Sequence, residues 1–336
     1  MKVAVVGCGA VGSFYGAKIC RAGLPVFFLL RSDYDVVRRE GVRIISPEAE
    51  FRAFPHPARQ PSEIGVCDLI VIALKTTANH TFPDLLPPLV GPQTWILTLQ
   101  NGLGNEEALA ALFGPRHVLG GLCFVCLNRI APGVVRHTAH GQIVLGQYGQ
   151  APSEGARAVA QCLSQAGIPC DLTPDLAQTH WEKLVWNIPF NGLGVAGIAG
   201  IDNVLEGRLP PALDRSTTLA TDELLHDPRW TDLVRELMNE LVATGRRAGF
   251  PIADGLPDRM IARTRCMGAY RASTLLDFER GLPLELESLF LEPLRRAKAT
   301  GLPIPRLEAL CSVLERIEKR EIQTGESGGC QCPVAR

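Results

Sequence analysis

The sequence predicts an α/β N-terminal domain followed by a mostly α-helical C-terminal domain, and three observations carry the prediction. Through the first half, short β-branched runs alternate with helical or turn-rich segments, the pattern of parallel strands joined by crossovers. A glycine-rich loop stands between the first apolar run and an amphipathic stretch. From about residue 176 strand signals become few and apolar residues recur at helical spacing. The 336 residues suffice for two domains of ~100 to 200 residues each. The expected division is 1–175, then 176–323, with 324–336 (TGESGGCQCPVAR) as a frayed, disordered tail.

Strands are predicted over 3–6, 26–30, 69–74, 95–99 and 118–123. Between the first two, residues 10–22 carry Val11, Phe14, Tyr15 and Ile19 at helical spacing, with Gly23 as the stop. Strand, helix and strand together fit the ~30 residues of one crossover unit. Segments 134–137 and 142–146 read as a hairpin turning at His140-Gly141. Helices are expected over 181–191, 233–249 and 286–300, and the polar stretch 207–228 reads as a loop. The chain has no internal repeats.

Composition narrows the function. With 34 Lys and Arg against 35 Asp and Glu the net charge is −1, so no strong field draws in nucleic acid or an anionic membrane surface. A content of 46% hydrophobic and 21% charged residues is that of a soluble globular protein, and the expected partner is a small molecule. Eleven scattered cysteines, with no cleavable leader in evidence, read as free thiols in a reducing, cytoplasmic setting. The longest apolar runs fall far below the ~18 residues that a membrane span needs. No metal site is expected. Cys123-Phe124-Val125-Cys126 lacks a second pair at zinc spacing, Cys330 and Cys332 lie in the tail, and His137 and His140 have no ligand set around them.

Gly7-Cys8-Gly9-Ala10-Val11-Gly12 is a G-x-G-x-x-G placed directly after a strand and before a helix. Gly7 allows the tight turn, Gly9 lets the backbone approach a pyrophosphate, and Gly12 lets helix and strand pack closely. The helix N-terminus then presents unpaired N–H groups and a positive dipole to the phosphates, which makes the first domain Rossmann-type. A site that prefers NAD has an Asp or Glu ~20 residues later for the ribose 2′-OH. Here the second strand ends at Arg31, which can pair with a 2′-phosphate and offers nothing to an unphosphorylated diol, so NADPH is the expected cofactor. The competing reading makes Arg31 a solvated loop cation and gives the diol to Asp33 or Asp35. Lys75 and Gln100-Asn101-Gly102 follow the third and fourth strands, where ligands of open α/β sheets bind.

In the second half Lys183, Asn187 and Asn191 stand at i, i+4 and i+8 and form one polar ridge on a helix whose other positions are largely apolar. Solvated stripes favour Glu, Lys and Arg, so two Asn residues of poorer helix propensity point to a functional reason. Pro189 between them cannot donate to the helix ladder and is expected to kink it, at about 3 kcal/mol unless compensated.

The chain resembles the ketopantoate reductase (2-dehydropantoate 2-reductase) family. The resemblance runs through GCGAVG at 7–12, LKTT at 74–77, QNGLGNEE at 100–107, EKLVWNIPFN at 182–191 and STLLDFERGLPLELE at 273–287. These cover nearly the whole chain in the family's order. The resemblance implies reduction of the 2-keto group of ketopantoate by NADPH, on the pathway to coenzyme A. It puts Lys183 on the general acid, Asn187, Asn191 and Ser273 on substrate-holding positions, and Asn101 between nicotinamide and substrate. Lys75 falls on a cofactor contact, and Glu285 on a carboxylate near the cofactor and the catalytic lysine. The lysine role agrees with the chemistry, because hydride arriving at a carbonyl carbon builds negative charge on oxygen. Two alternatives stand beside this reading: a reductase of another 2-keto acid, suggested by Pro189 and the 207–228 stretch, and a catalytically silent NADPH-binding regulator. The apolar helices of the second half are compatible with a homodimer.

Overall fold

A computed structural model of the chain describes residues 1–327. Ten strands form one sheet: β1 (Val3–Val6), β2 (Val26–Leu29), β3 (Val42–Ile45), β4 (Phe51–Ala53), β5 (His56–Ala58), β6 (Leu69–Ile72), β7 (Trp95–Thr98), β8 (Val118–Ala131), β9 (Val134–Gln147) and β10 (Cys170–Leu172). Their order is β4-β3-β9-β8-β7-β6-β1-β2-β5, with β10 paired to β9. A central parallel strand is covered on both faces and so needs apolar side chains in both directions. β1 meets that demand with four consecutive buried residues. Val3 and Val5 join Phe14, Tyr15 and Phe28 in one cluster, while Ala4 and Val6 join Ile70, Ile72 and Phe82 in the other.

β1 pairs in parallel with β2 on one side and β6 on the other, so Val6 stands level with Leu29 and Ile72. The chain therefore leaves β1 for one flank of the sheet and later returns on the other. That reversal opens the crevice at the carboxyl ends of the strands where such sheets bind ligands.

The expected hairpin at His140-Gly141 is corrected by the structure. β8 and β9 are single antiparallel strands of 14 residues each, and the chain turns between them at Pro132-Gly133, with Gly133 at φ +67°. His140 (φ +64°) and Gly141 (φ +128°) instead make an irregularity within β9, opposite the register shift between Phe124 and Val125. A positive φ serves a bulge as well as a turn, and the sequence does not say which.

The chain divides into two compact units between His180 and Trp181. The first holds the sheet with α1 (Ala10–Arg21), α2 (Tyr34–Glu40), α3 (Pro61–Ile64), α4 (Phe82–Leu85), α5 (Asn105–Phe113) and α6 (Glu154–Gln165). α7 (Leu176–Ala196) begins in the first unit and continues into the second. The expected boundary at 175/176 stands just before this helix. The second unit contains α8 (Ile201–Leu205), α9 (Thr221–His226), α10 (Pro228–Arg247), α11 (Leu256–Arg265), α12 (Ser273–Glu279), α13 (Glu292–Ala299) and α14 (Pro305–Ser327).

In that unit α7 buries Leu184, Val185, Ile188, Phe190 and Leu193. Gly192 permits a close approach, since a Cβ there would meet Leu310 of α14 at 2.7 Å and Phe290 at 2.9 Å. Pro189 lies inside α7 without ending it. The stretch 207–228, expected as loop, contains α9 and the first residue of α10. Asp227 accepts from the N–H groups of Arg229 and Trp230 at 2.8 and 3.4 Å, and Pro228 occupies the first helical position, where its missing donor costs nothing. The helix expected over 286–300 is a π-helical turn, Glu287–Leu291, followed by α13. α14 runs to Ser327, so residues 324–327, expected in the tail, are helical. The remainder of that stretch, with Cys330 and Cys332, lies outside the described residues.

His140 is the one described non-glycine residue at positive φ. Left-handed backbone costs an L-residue about 1 to 2 kcal/mol and a β-branched residue more. His140→Gly is therefore expected to hold or raise the stability read by thermal unfolding, and His140→Val to lower it by roughly that amount.

Candidate functional site

The turn after β1 passes very close to the chain leaving β6. A Cβ at Gly7, which has φ +98°, would fall 2.3 Å from the Leu74 nitrogen and 2.5 Å from the Ala73 carbonyl carbon. A Cβ at Gly12 would fall 2.2 Å from the Gly7 oxygen, so helix and turn also meet backbone to backbone. Gly9 differs. It is the N-cap of α1, and a Cβ there would meet nothing within 4 Å. Among the described residues α1 has no side-chain cap and no acidic residue in its first turn. Its unpaired N–H groups and positive end thus suit the phosphates of a dinucleotide. The Cys8 thiol bonds the carbonyls of Val5 (3.6 Å) and Leu29 (3.5 Å), tying the loop to the ends of β1 and β2, and burial pushes its pKa up.

At the end of β2, Arg31 is exposed, with no hydrogen bond or ion pair among the described residues. Both nearby carboxylates are already engaged. Asp33 is only 6% exposed and accepts from Arg129 Nε at 3.0 Å and Arg129 Nη2, from the Gly133 N–H at 3.0 Å and from Ser32 Oγ at 3.0 Å. Burial alone would raise this carboxyl, but the hydrogen bonds from Arg129, Gly133 and Ser32 outweigh it and hold the pKa below the ordinary range. Asp35 pairs with Arg59 at 3.1 Å, and that guanidinium lies 4.0 Å from the Tyr34 ring centroid. Three arginines thus meet two carboxylates, and the surplus positive charge is on Arg31.

The ends of β6 and β7 are joined by side-chain amides. Gln100 donates to the Leu74 carbonyl (3.0 Å) and to Asn79 Oδ1 (2.7 Å), and accepts from Thr98 Oγ1 (2.9 Å). Asn79 donates to Asn105 Oδ1 at 2.8 Å, and Asn105 to the Asn101 carbonyl at 3.0 Å. Lys75 is exposed just ahead of the 3-10 turn Thr76–Thr81, and Asn101 is half-buried. The cofactor candidates Gly7 to Gly12, Arg31, Lys75 and Asn101 therefore follow the carboxyl ends of four neighbouring parallel strands.

The second unit carries the remaining candidates. Lys183 is half-buried on α7, and Asn187 and Asn191 are buried on the same helix. Asn191 Nδ2 donates to the Asn187 carbonyl at 3.0 Å, while its Oδ1 accepts from the Thr274 N–H (3.0 Å) and from Ser273 Oγ (3.3 Å). A backbone N–H can only meet an oxygen, so the Thr274 contact fixes which way the amide faces. Asn191 thus caps α12 from α7, a role that the sequence did not announce. Glu285 is buried just ahead of the π-helical turn.

Sequence reasoning also missed Asn79, Arg129 and the buried pair Glu106 and His180. Glu106 Oε1 lies 3.0 Å from His180 Nε2, and the two residues are 3% and 7% exposed. Glu106 lies within QNGLGNEE, yet nothing in that motif names a histidine so far along the chain. Among the described residues no group of three or more His, Cys, Asp or Glu is placed to hold a metal ion, and no helix is long and apolar enough to cross a membrane.

A strand, glycine turn and uncapped helix at the reversal point of a parallel sheet, in a chain whose second unit is helical, define a dinucleotide-binding oxidoreductase of two units. Residues 3–150 match the family model "Ketopantoate reductase PanE/ApbA", and residues 212–318 match the model of its C-terminal part. A 2-dehydropantoate 2-reductase of Nostoc sp. is 37% identical over 335 residues, 97% of each chain. The crystal structure of 2-dehydropantoate 2-reductase from Geobacter metallireducens is 40% identical with a TM-score of 0.85, covering 94% of this chain and 100% of that one. The enzyme of the same name from Methylococcus capsulatus is 31% identical with a TM-score of 0.82, over 96% and 98% of the two chains. The chain belongs to the ketopantoate reductase family and is an oxidoreductase acting on a CH–OH group.

Two outcomes follow from this geometry. Asn191→Ala leaves the Thr274 N–H buried without its acceptor, and is expected to cost about 1 to 3 kcal/mol in denaturant unfolding. Asp33, held below its unfolded pKa, contributes stability that is present above the ordinary carboxylate value of ~3.9 and is lost as pH falls through the lowered one. Asp33→Asn should therefore flatten the acid side of a Tm against pH profile.

Proposed function

We propose that this chain reduces the 2-keto group of 2-dehydropantoate to the alcohol of pantoate, with NADPH as cofactor and Lys183 as general acid, in the route to pantothenate and coenzyme A. The observation that carries the chemistry is the charge pattern of α7: from Leu184 to the helix end no charged side chain occurs, and the polar groups one and two turns beyond Lys183, Asn187 and Asn191, are neutral amides. The relatives named 2-dehydropantoate 2-reductase support the choice of substrate.

A dinucleotide held by the first unit would supply the hydride for the keto carbon. Lys183 Nζ stabilises the negative charge that develops on the keto oxygen and donates the proton that completes the alcohol. Asn187, Asn191 and Ser273 hold the substrate without adding charge that would compete with the ammonium. Asn191 has one amide N–H beyond its contacts with Asn187, Ser273 and Thr274, and that hydrogen is what it offers. Ser273, whose hydroxyl donates to Asn191, acts on substrate as an acceptor. Asn101, at the carboxyl end of β7, would contact the nicotinamide, and Glu285 is the carboxylate that accompanies Lys183. In the first unit the Gly7 to Gly12 turn would hold the pyrophosphate, Lys75 would contact the cofactor and Arg31 would pair with the 2′-phosphate. The surplus charge on Arg31, with Asp33 and Asp35 both engaged, supports NADPH over NADH.

Following NADPH absorbance with ketopantoate and a panel of 2-keto acids tests the reading. Lys183→Ala is expected to lower kcat/KM by 10² to 10⁴ while NADPH still binds. Faster turnover of another keto acid would remove the substrate name and keep the mechanism. NADPH binding without turnover of any acid would leave a regulator. Arg31→Ala should reduce the preference for NADPH over NADH about tenfold or more, and an unchanged preference would sink that contact.

A further inference from the structure

The loop after β2 carries a carboxylate for which the proposed cofactor site has no use. Asp33 stands two residues beyond Arg31 and occupies the N-cap position of α2, yet its side chain caps nothing there. Both oxygens are taken by the far end of the β8–β9 hairpin: the Arg129 fork spans Oδ1 and Oδ2, and the Gly133 N–H adds a second bond to Oδ2. A carboxylate at this end of the second strand is the group that accepts from a ribose diol and repels a 2′-phosphate. The other nearby carboxylate, Asp35, is held by Arg59 in an exposed pair that solvent screens. The Asp33 contact is different in kind, because one partner is buried and the other reaches it bidentately from 96 residues along the chain.

We propose that Arg129 is a specificity-determining residue: by clamping Asp33 to the β8–β9 hairpin it withdraws the carboxylate that would favour NADH and leaves Arg31 to receive a 2′-phosphate. The proposal rests on the reading of Arg31 given above. Arg129 touches no cofactor atom in this account. It acts through Asp33, so its removal costs NADPH affinity only while the Asp33 charge remains.

The test compares KM and kcat for NADPH and NADH in the full-length protein, in Arg129→Leu, in Asp33→Asn and in the double variant. In Arg129→Leu the carboxylate, no longer neutralised by the guanidinium, should raise the KM for NADPH roughly tenfold and lower that for NADH, with kcat changing less. In the double variant, which lacks the charge, the NADPH preference should return to that of Asp33→Asn. A double variant as impaired as Arg129→Leu would show that the hairpin contact only shapes the loop, and an unchanged preference in Arg129→Leu would overturn the proposal as directly. Should Arg129→Leu fail to fold, Arg129→Met, which keeps the unbranched apolar stem and lacks the donors, provides the same comparison. A parent enzyme that prefers NADH overturns both the Arg31 reading and this one. A parent that prefers NADPH, with Arg31→Ala effective and Arg129→Leu silent, overturns the clamp alone.

Discussion

The carboxyl edge of the sheet depends on how closely the turn after β1 passes the backbone leaving β6. With 2.3 Å between the Leu74 nitrogen and the place where a Gly7 Cβ would be, only hydrogen fits there. The same economy repeats along α1, where Gly12 meets the Gly7 carbonyl and a Cβ at Gly16 would press on the Phe28 ring at 2.5 Å. Three glycines lower the helix onto the sheet, and a fourth, Gly9, opens its N-terminus outward. Close packing below and an open approach above are what a polyanionic cofactor requires of a backbone.

The central strands were legible because parallel strands buried on both faces leave uninterrupted apolar runs, and β1, β2, β6 and β7 begin where those runs begin. The glycine turn was legible because its requirement is local. What failed was also local in origin. His140-Gly141 announced a positive φ but not whether it served a turn or a bulge, and Asp227-Pro228 read as a loop although a capping Asp followed by Pro opens a helix. The short strands β3, β4, β5 and β10 and the helices α11, α12 and α14 gave too little periodic contrast to be read in advance.

In the candidate site the residue types were readable and their partnerships were not. Arg31, Lys183 and the amides of α7 stand out by chemistry and spacing. The engagement of Asp33 by Arg129, or of Glu106 by His180, joins positions that no periodicity connects. Asn191 shows the difference most sharply: the ridge on α7 was visible, but that its carbonyl caps α12 became visible only with the fold.

Most two-unit chains change units in a loop, where the polypeptide can be cut, lengthened or rejoined with little harm. Here the change falls inside α7, between His180 and Trp181, in the middle of a hydrogen-bonded ladder. Grafting this glycine-turn unit onto a different helical partner would have to splice within a helix and preserve its phase, since one residue gained or lost turns every later side chain by about 100°. Lys183, Asn187 and Asn191 all follow that splice on the same helix, so the continuity of α7 is a constraint that a linker would not impose.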